Sequence, residues 1–381
     1  MQRKLFIIGL LCMLFPAFIS GQVRIRLFSG SDPELALFSV TGGIYELNGF
    51  TGEPLELTEG ENVIISGFNN RIFIKTRNEQ AFSCDSVFLS GKTGNDSFSL
   101  RVNGVRLDYS GELHCFRDMG ALVLVNICDF ETYIAGVVRA EGGPGKNIEY
   151  FKTQAVIART YMYKYFQKHV TDRFNLCDIT HCQVFNGITN DTLIIRAELE
   201  TKDQVILGPD STLVISAFHS NCGGETSPSE DVWLTNQPYL KKITDPFCTG
   251  SRNARWQMSI SIKEWTGYLK KMGYTGDDDN TSLLTFSQNN RLKDFRAGDF
   301  SIPLRQIRTD LNLRSAFFSL AASGDSVVLS GRGYGHGVGL CQEGAMMMAL
   351  KDFDYKQIIK FYYTGVIIAD IGDAVTEEEG Q

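Results

Sequence analysis

From Val23 to Tyr109 the chain alternates apolar and polar residues in short runs: "VRIRLF", "ALFSV", "GIYELNG", "NVIISG", "RIFIKT" and "SLRVNGVRLDY". Gly and Asn turn signals break these runs at intervals of roughly 8–12 residues, the rhythm of a small β domain or meander. The pattern brings no catalytic cluster with it. Strands continue through "LHCFRDMGALVLVNICDF", and then the period changes. "FETYIAGVV", starting near Asp129–Thr132, reads as a helix. A longer helix is predicted from about Asn147 to Lys168, where Phe151, Ala155, Ala158 and Met162 recur at three- to four-residue spacing. "CQVFNG", "DQVILG" and "LVISAFHS" follow as strand-like pieces.

Between about Arg252 and Ser323 the texture shifts again. Amphipathic "SIKEWTGYLKKMG" precedes an acidic polar loop, "YTGDDDNTS", and further strands, so an inserted subdomain is expected at about 252–323. Residues 371–381, ending "EEEGQ", read as an acidic disordered tail. The first 21 residues are different material. "MQRK" and the short apolar run "LFIIGLLCMLFPAFIS", closed by Ser20 and Gly21, have the layout of a secretory signal peptide. A membrane anchor is disfavoured, because an apolar run of fewer than ~18 residues with a proline spans poorly. No later stretch is apolar enough to cross a bilayer. The expected organisation is therefore a signal peptide (1–21), a β-rich region (22–115), a mixed α+β domain (116–370) carrying the insertion, and the tail. The mature chain is expected in the periplasm or cell envelope, with no transmembrane segment.

Composition narrows the partners. The 381 residues are 43% hydrophobic and 21% charged, ample for a core. A net charge of −7 offers no basic face to nucleic acid or anionic lipid. Nine cysteines weigh more, since in an oxidising compartment they pair or hold metal.

Glu141 ends the apolar run "IAGVVRAE" and precedes Gly-Gly-Pro-Gly. A carboxylate at the edge of a core is partly desolvated, which raises its pKa toward neutrality and suits it to proton transfer. The alternative is an acid favoured near the start of the next helix. His169, Cys177, His181 and Cys182 gather borderline-soft zinc ligands in one segment, provided a turn near Thr180 lets His181 and Cys182 face the same point. A Cys177–Cys182 disulfide is the competing reading. "AFHSNCGGET" sets His219, Ser220 and Cys222 before a Gly-Gly turn, but no orienting acid favours a thiol nucleophile there. "GRGYGHGVGLCQEGA" surrounds His336 with glycines and lacks both the phosphate-loop ending and the dinucleotide spacing. A glycine-lined groove for a sugar chain and a tight packing crossover both remain open.

Taken together, "VVRAEGGP", "FKTQAVIARTY", "THCQVFNG", "AFHSNCGGET", "DVW" with "PYLKKITDP", and "GRGYGHGVGLCQEGA" with "IIKFYYTGV" resemble the SpoIID/LytB family over residues 120 to 370. The resemblance implies a SpoIID-type α+β domain and a peptidoglycan lytic transglycosylase. Such an enzyme cleaves glycan strands between N-acetylmuramic acid and N-acetylglucosamine without water and leaves a 1,6-anhydro end. It implies Glu141 as the acid/base, a structural zinc on Cys177, His181 and Cys182 with His169 as fourth ligand, and cleft residues among Gln154, Arg159, Tyr161, His219, Ser220 and His336. Arg159 is expected to meet the lactyl carboxylate of muramic acid. The LytB branch carries the alternative, a non-catalytic amidase enhancer or glycan-binding protein with a cell-wall amidase as partner. Cys222, Cys248 and Cys341 depart from the family's usual residues, and their pairing is left open between a disulfide and a metal.

Overall fold

The computed structural model describes residues 21–77, 81–233, 235–277 and 281–374. The expected signal peptide and most of the acidic tail lie outside the described residues. The chain forms two compact units, one of Asp32–Phe130 with the segment up to Leu27, the other of Glu131 onward with Phe28–Ser31.

The first unit is all β. Its strands are β1 (Gln22–Leu27), β2 (Leu35–Gly42), β3 (Ile44–Asn48), β4 (Leu55–Thr58), β5 (Asn62–Phe68), β6 (Arg71–Thr76), β7 (Ala81–Cys84), β8 (Ser86–Gly91), β9 (Ser97–Val102), β10 (Val105–Ser110), β11 (Glu112–Asp118) and β12 (Ala121–Asp129). One sheet has the order β1-β12-β11-β8-β3-β4 and the other β10-β9-β2-β5-β6-β7. Alternation buries one face of each strand, as in β1 with Val23, Ile25 and Leu27. Phe38 and Phe98 of one sheet meet Tyr45 of the other at ring centroid distances of 5.3 and 5.7 Å, so the two sheets share one aromatic core. The boundary expected at residue 115 moves to Phe130. The reason is pairing: β12 runs antiparallel to both β1 and β11, and cannot leave the sheet without stranding both ladders.

The second unit is built around two helices, α1 (Phe130–Glu141) and α2 (Ile148–Lys164). Asn147 caps α2 by accepting the Glu149 N–H at 2.8 Å, and the helix ends at Lys164 rather than Lys168. Its small residues Ala155 and Ala158 are fully or nearly buried and let neighbouring elements close in. One neighbour is α3 (Thr192–Glu200); another is strand Gln204–Leu207, paired antiparallel with Ile367–Asp370. A four-residue helix, α4 (Ser229–Val232), follows further along.

"CQVFNG", expected as a strand, has no ladder. The Phe185 N–H turns back to the Asp178 carbonyl, and the Val184 N–H is taken by a side chain described below. "LVISAFHS" keeps only Phe218–His219 as strand, parallel to Leu340–Cys341. The insertion is a subdomain with its own core. Its sheet runs Arg255–Ser261, Ser326–Arg332, Phe318–Ser323, Thr285–Phe286, covered by α5 (Ile262–Lys271) and α6 (Leu304–Asp310). Trp265, Leu269, Phe295, Ile307 and Leu329 fill it. Because Ser326–Arg332 pairs on both sides, the insertion ends near Arg332 instead of Ser323. Helices α7 (Gln342–Ala349) and α8 (Tyr355–Tyr362) complete the unit. Among the described residues no helix is long and apolar enough to cross a membrane.

Arg159 is the polar hub of this packing. Its guanidinium pairs with Glu198 at 2.6 Å and donates to the carbonyls of Thr201 (2.7 Å) and Gln204 (3.2 Å), tying α2 to α3 and the adjoining strand. Both partners are buried. Arg159→Met, which removes the cation paired with the buried Glu198 carboxylate, should cost roughly 3–5 kcal/mol in urea unfolding. Arg159→Met combined with Glu198→Leu should recover a large part of that loss. An undiminished midpoint in the single variant would show that the pair is not structural.

Candidate functional site

A cavity of about 810 Å³ opens to solvent on the second unit. Glu141, the last residue of α1, lines it together with Tyr161, Tyr165 and Lys168 of the α2 region, Cys182–Val184, Ile215–Phe218, Trp233 and His336. The lining is mostly apolar and aromatic; Tyr161 and Tyr165 have ring centroids 4.5 Å apart. Glu141 is its only carboxylate among the described residues.

Two forces act on that carboxylate. Burial pushes its pKa up, and the Val184 N–H, which donates to Oε1, pulls it part of the way back. Burial wins, and the pKa is raised to about 7. The backbone of Glu141 is fixed as well: Gln342 Nε2 donates to its carbonyl at 2.8 Å and reaches Gln154 Oε1 at 3.4 Å. Gln154 is thus buried behind the site, where it orients Gln342.

The other expected cleft residues divide. Tyr161 and His336 line the cavity. The His336 ring lies tilted against those of His219 (centroids 5.5 Å apart) and Trp233 (5.6 Å). Its Nδ1 accepts the Val338 N–H at 3.0 Å. Burial lowers its pKa to about 4, so a neutral imidazole forms this wall. His219 lies behind it, with Nδ1–H donating to the Val338 carbonyl at 3.0 Å. Ser220 is not in the lining; its Oγ accepts from Asn253. Arg159 is not in the lining either, being spent on Glu198 and backbone carbonyls; Lys168 is in the lining, with its Nζ donating to the His181 carbonyl at 2.6 Å. The thiol nucleophile also loses its geometry, because Cys222 is fully buried away from the lining.

The glycine-rich loop serves packing, not ligand access. A Cβ at Gly339, where φ is +70°, would fall 2.1 Å from the Ala217 carbonyl oxygen, and one at Gly331 would enter the Trp256 ring. Gly333, Gly335 and Gly337 likewise press on Asn221, His219 and Arg291. Only His336 of this loop reaches the cavity.

The expected zinc ligands do converge. One donor atom each from His169, Cys177, His181 and Cys182 lies within 4.8 Å of the others. Cys177 Sγ is 3.5 Å from His181 Nδ1, and Cys182 Sγ is 3.5 Å from His169 Nε2. A turn closed by the Cys182 N–H to the Ile179 carbonyl supplies the required reversal, and the two cysteines are not bonded to each other. His169 Nδ1 faces Asp172 Oδ2 at 3.1 Å, the outer carboxylate that presents Nε2 toward a metal. Two sulfurs and two imidazoles in this arrangement fit zinc. Glu141 is not part of the cluster.

Sequence reasoning missed Val184, which acts through its backbone and has no side-chain signal. It also missed Gln342 and Trp233 as site residues, although both fall in the blocks that carry the resemblance.

Residues 118–207 match the family model described as stage II sporulation protein, SpoIID. An uncharacterized protein of Brachyspira hyodysenteriae is 28% identical over 81% of this chain and 85% of its own length. Stage II sporulation protein D of Bacillus amyloliquefaciens is 28% identical over 63% of this chain and 74% of its length. The amidase enhancer of Bacillus subtilis is 26% identical over 62% of this chain, which spans 40% of that longer protein. This family match and these relatives together support assigning the chain to the SpoIID/LytB family.

Proposed function

We propose that this protein acts on the bacterial cell wall as an exported peptidoglycan lytic transglycosylase. The observation that carries the reading is Glu141, a single carboxylate with a pKa raised to about 7 in an open, aromatic cavity. Aromatic faces pack against the apolar faces of sugar rings, and an open cavity admits a polymer. At neutral pH a large fraction of Glu141 holds its proton. It gives that proton to the glycosidic oxygen as the bond from muramic acid C1 breaks. The resulting carboxylate then takes the proton of the C6 hydroxyl, whose oxygen closes on C1 to give the 1,6-anhydro ring. One carboxylate performs both transfers, unlike the two-acid glycosidases. Lys168 stands where an anionic substituent of the sugar can be met.

The four-ligand cluster would hold a zinc whose role is structural, since no position is left for substrate. Cys182 is two residues from Val184, so the metal would hold in place the amide that tunes Glu141. A relative named amidase enhancer favours a second reading, in which the cavity binds glycan and the protein activates an amidase without cleaving the strand.

Glu141→Gln should abolish anhydro-muramic products from peptide-stripped glycan strands, a loss on the order of 10²–10⁴-fold, with the fold retained. Products carrying ordinary reducing ends would indicate a hydrolase. No product from the wild-type chain, with glycan still bound, would favour the enhancer reading.

The pH dependence follows from the raised pKa. Activity that needs protonated Glu141 should fall as pH rises through about 7. Stability has its own sign. Ionising Glu141 costs more in the folded than in the unfolded chain, so the penalty is absent below about 4.5 and fully present above about 7. Glu141→Gln should therefore stabilise the protein by ~1–3 kcal/mol at pH 8 and leave it nearly unchanged at pH 4. Equal gains at both values would disprove the shift.

Cys182→Ser should remove one equivalent of zinc and lower the melting temperature at pH values where Glu141 is neutral. Metal content unchanged by this substitution would refute the site.

A further inference from the structure

Away from the cavity, three cysteines and an aspartate meet in the core. Cys222 follows strand Phe218–His219, Cys341 ends the strand parallel to it, and Asp245 and Cys248 come from one loop with Asp-x-x-Cys spacing. All four are buried, and one donor atom from each lies within 4.8 Å of the others. Cys222 Sγ is 3.3 Å from Cys248 Sγ and 3.2 Å from Asp245 Oδ2. We propose that Cys222, Asp245, Cys248 and Cys341 form a second, closed metal site that takes zinc or a similar thiolate-seeking divalent ion.

The donor set argues for an ion. A tetrahedral zinc with sulfur bonds of ~2.3 Å separates its ligand atoms by roughly 3.5–4 Å, close to the spacing here. A disulfide accounts for two of the three thiols only, and gives the third thiol and the Asp245 carboxyl group no common partner where all four donors converge. The surroundings are also built for bound anions. The Cys222 and Gly344 N–H groups point at Cys341 Sγ (3.2 and 3.4 Å). The Phe247 N–H donates to Asp245 Oδ1 at 2.8 Å, and the Tyr362 hydroxyl to Oδ2 at 2.9 Å. Such outer contacts orient metal-bound thiolates and carboxylates. Buried Arg291 donates to the Cys222 carbonyl at 2.7 Å and sets a positive charge beside the cluster. Gly344 completes the cradle: a Cβ there would fall 2.4 Å from Asp245 Oδ2 and 2.1 Å from the Tyr362 hydroxyl.

The bound ion would join three segments distant in sequence and hold the strand pair that carries His219, the residue behind the His336 wall. Its role is structural, since all four positions come from protein. It does not depend on the glycan reading or on the His169 cluster.

The test is metal stoichiometry of the full-length chain by native and elemental mass spectrometry, with zinc supplied during expression. Two equivalents are expected in the wild type. Cys248→Ser and Asp245→Asn should each lose one while keeping the ion removed by Cys182→Ser. If these variants do not fold, X-ray absorption on the wild type decides: a zinc population with three sulfur neighbours supports the site, and two-sulfur zinc alone overturns it. A wild type two hydrogens lighter than its reduced mass, with a Cys222–Cys248 bond mapped by peptide analysis, also overturns it. Loss of only the two-sulfur zinc signal would count against the His169 cluster and leave this site standing.

Discussion

The Val184 N–H donates to the Glu141 carboxylate, and much of the second unit's local architecture serves that contact. A carboxylate at a helix end with no donor would rise further and stay neutral; one with several donors would ionise. A single amide leaves it near neutrality. For that amide to be free, the segment after Cys182 must forgo a strand ladder. The turn through Ile179–Cys182 sets its course, and the convergence of His169, Cys177, His181 and Cys182 gives the turn something to close around. On the other side, Gln342 grips the Glu141 carbonyl. The acid is therefore held by groups from two stretches of chain distant from it in sequence.

The histidines and glycines that stand out in the sequence have quieter tasks. His336 is neutral and its Nδ1 is engaged by the Val338 N–H, so it shapes a wall. Gly339 and Gly331 have no side chain because backbone and a tryptophan ring occupy the space. Arg159, attractive as an anion receptor, is buried where a cation needs every partner it has. The second unit thus spends most of its conspicuous polar residues on holding its own segments together, and leaves the proposed chemistry to one residue.

What the sequence revealed follows from the range of the forces involved. The strands of the first unit were legible because alternation is local, and Asn147 marked the start of α2 because a cap needs only its next two residues. The convergence of His169, Cys177, His181 and Cys182 was legible because they fall within one segment. "CQVFNG" was misread as a strand because its amides are claimed by Glu141 and by Asp178, contacts across sequence that no periodicity encodes. The place of Arg159 was missed for the same reason: Glu198 lies thirty-nine positions away. Boundaries drifted where a strand's partner decided its membership, as with β12 and with Ser326–Arg332.

The inserted subdomain leaves and rejoins the second unit at one point. Arg255 pairs directly with Arg332, and the Gly333 N–H donates to the Ala254 carbonyl at 3.0 Å. The two connections thus meet at the base of a single antiparallel ladder, and the core above them is filled from within. Chain length beyond that base can change at little entropic cost, because the ends remain closed whatever lies between them. The arrangement lets the far parts of the subdomain vary in length, as long as Arg291 still reaches back to the Cys222 carbonyl, while the wall carrying His336, three residues past Gly333, keeps its register.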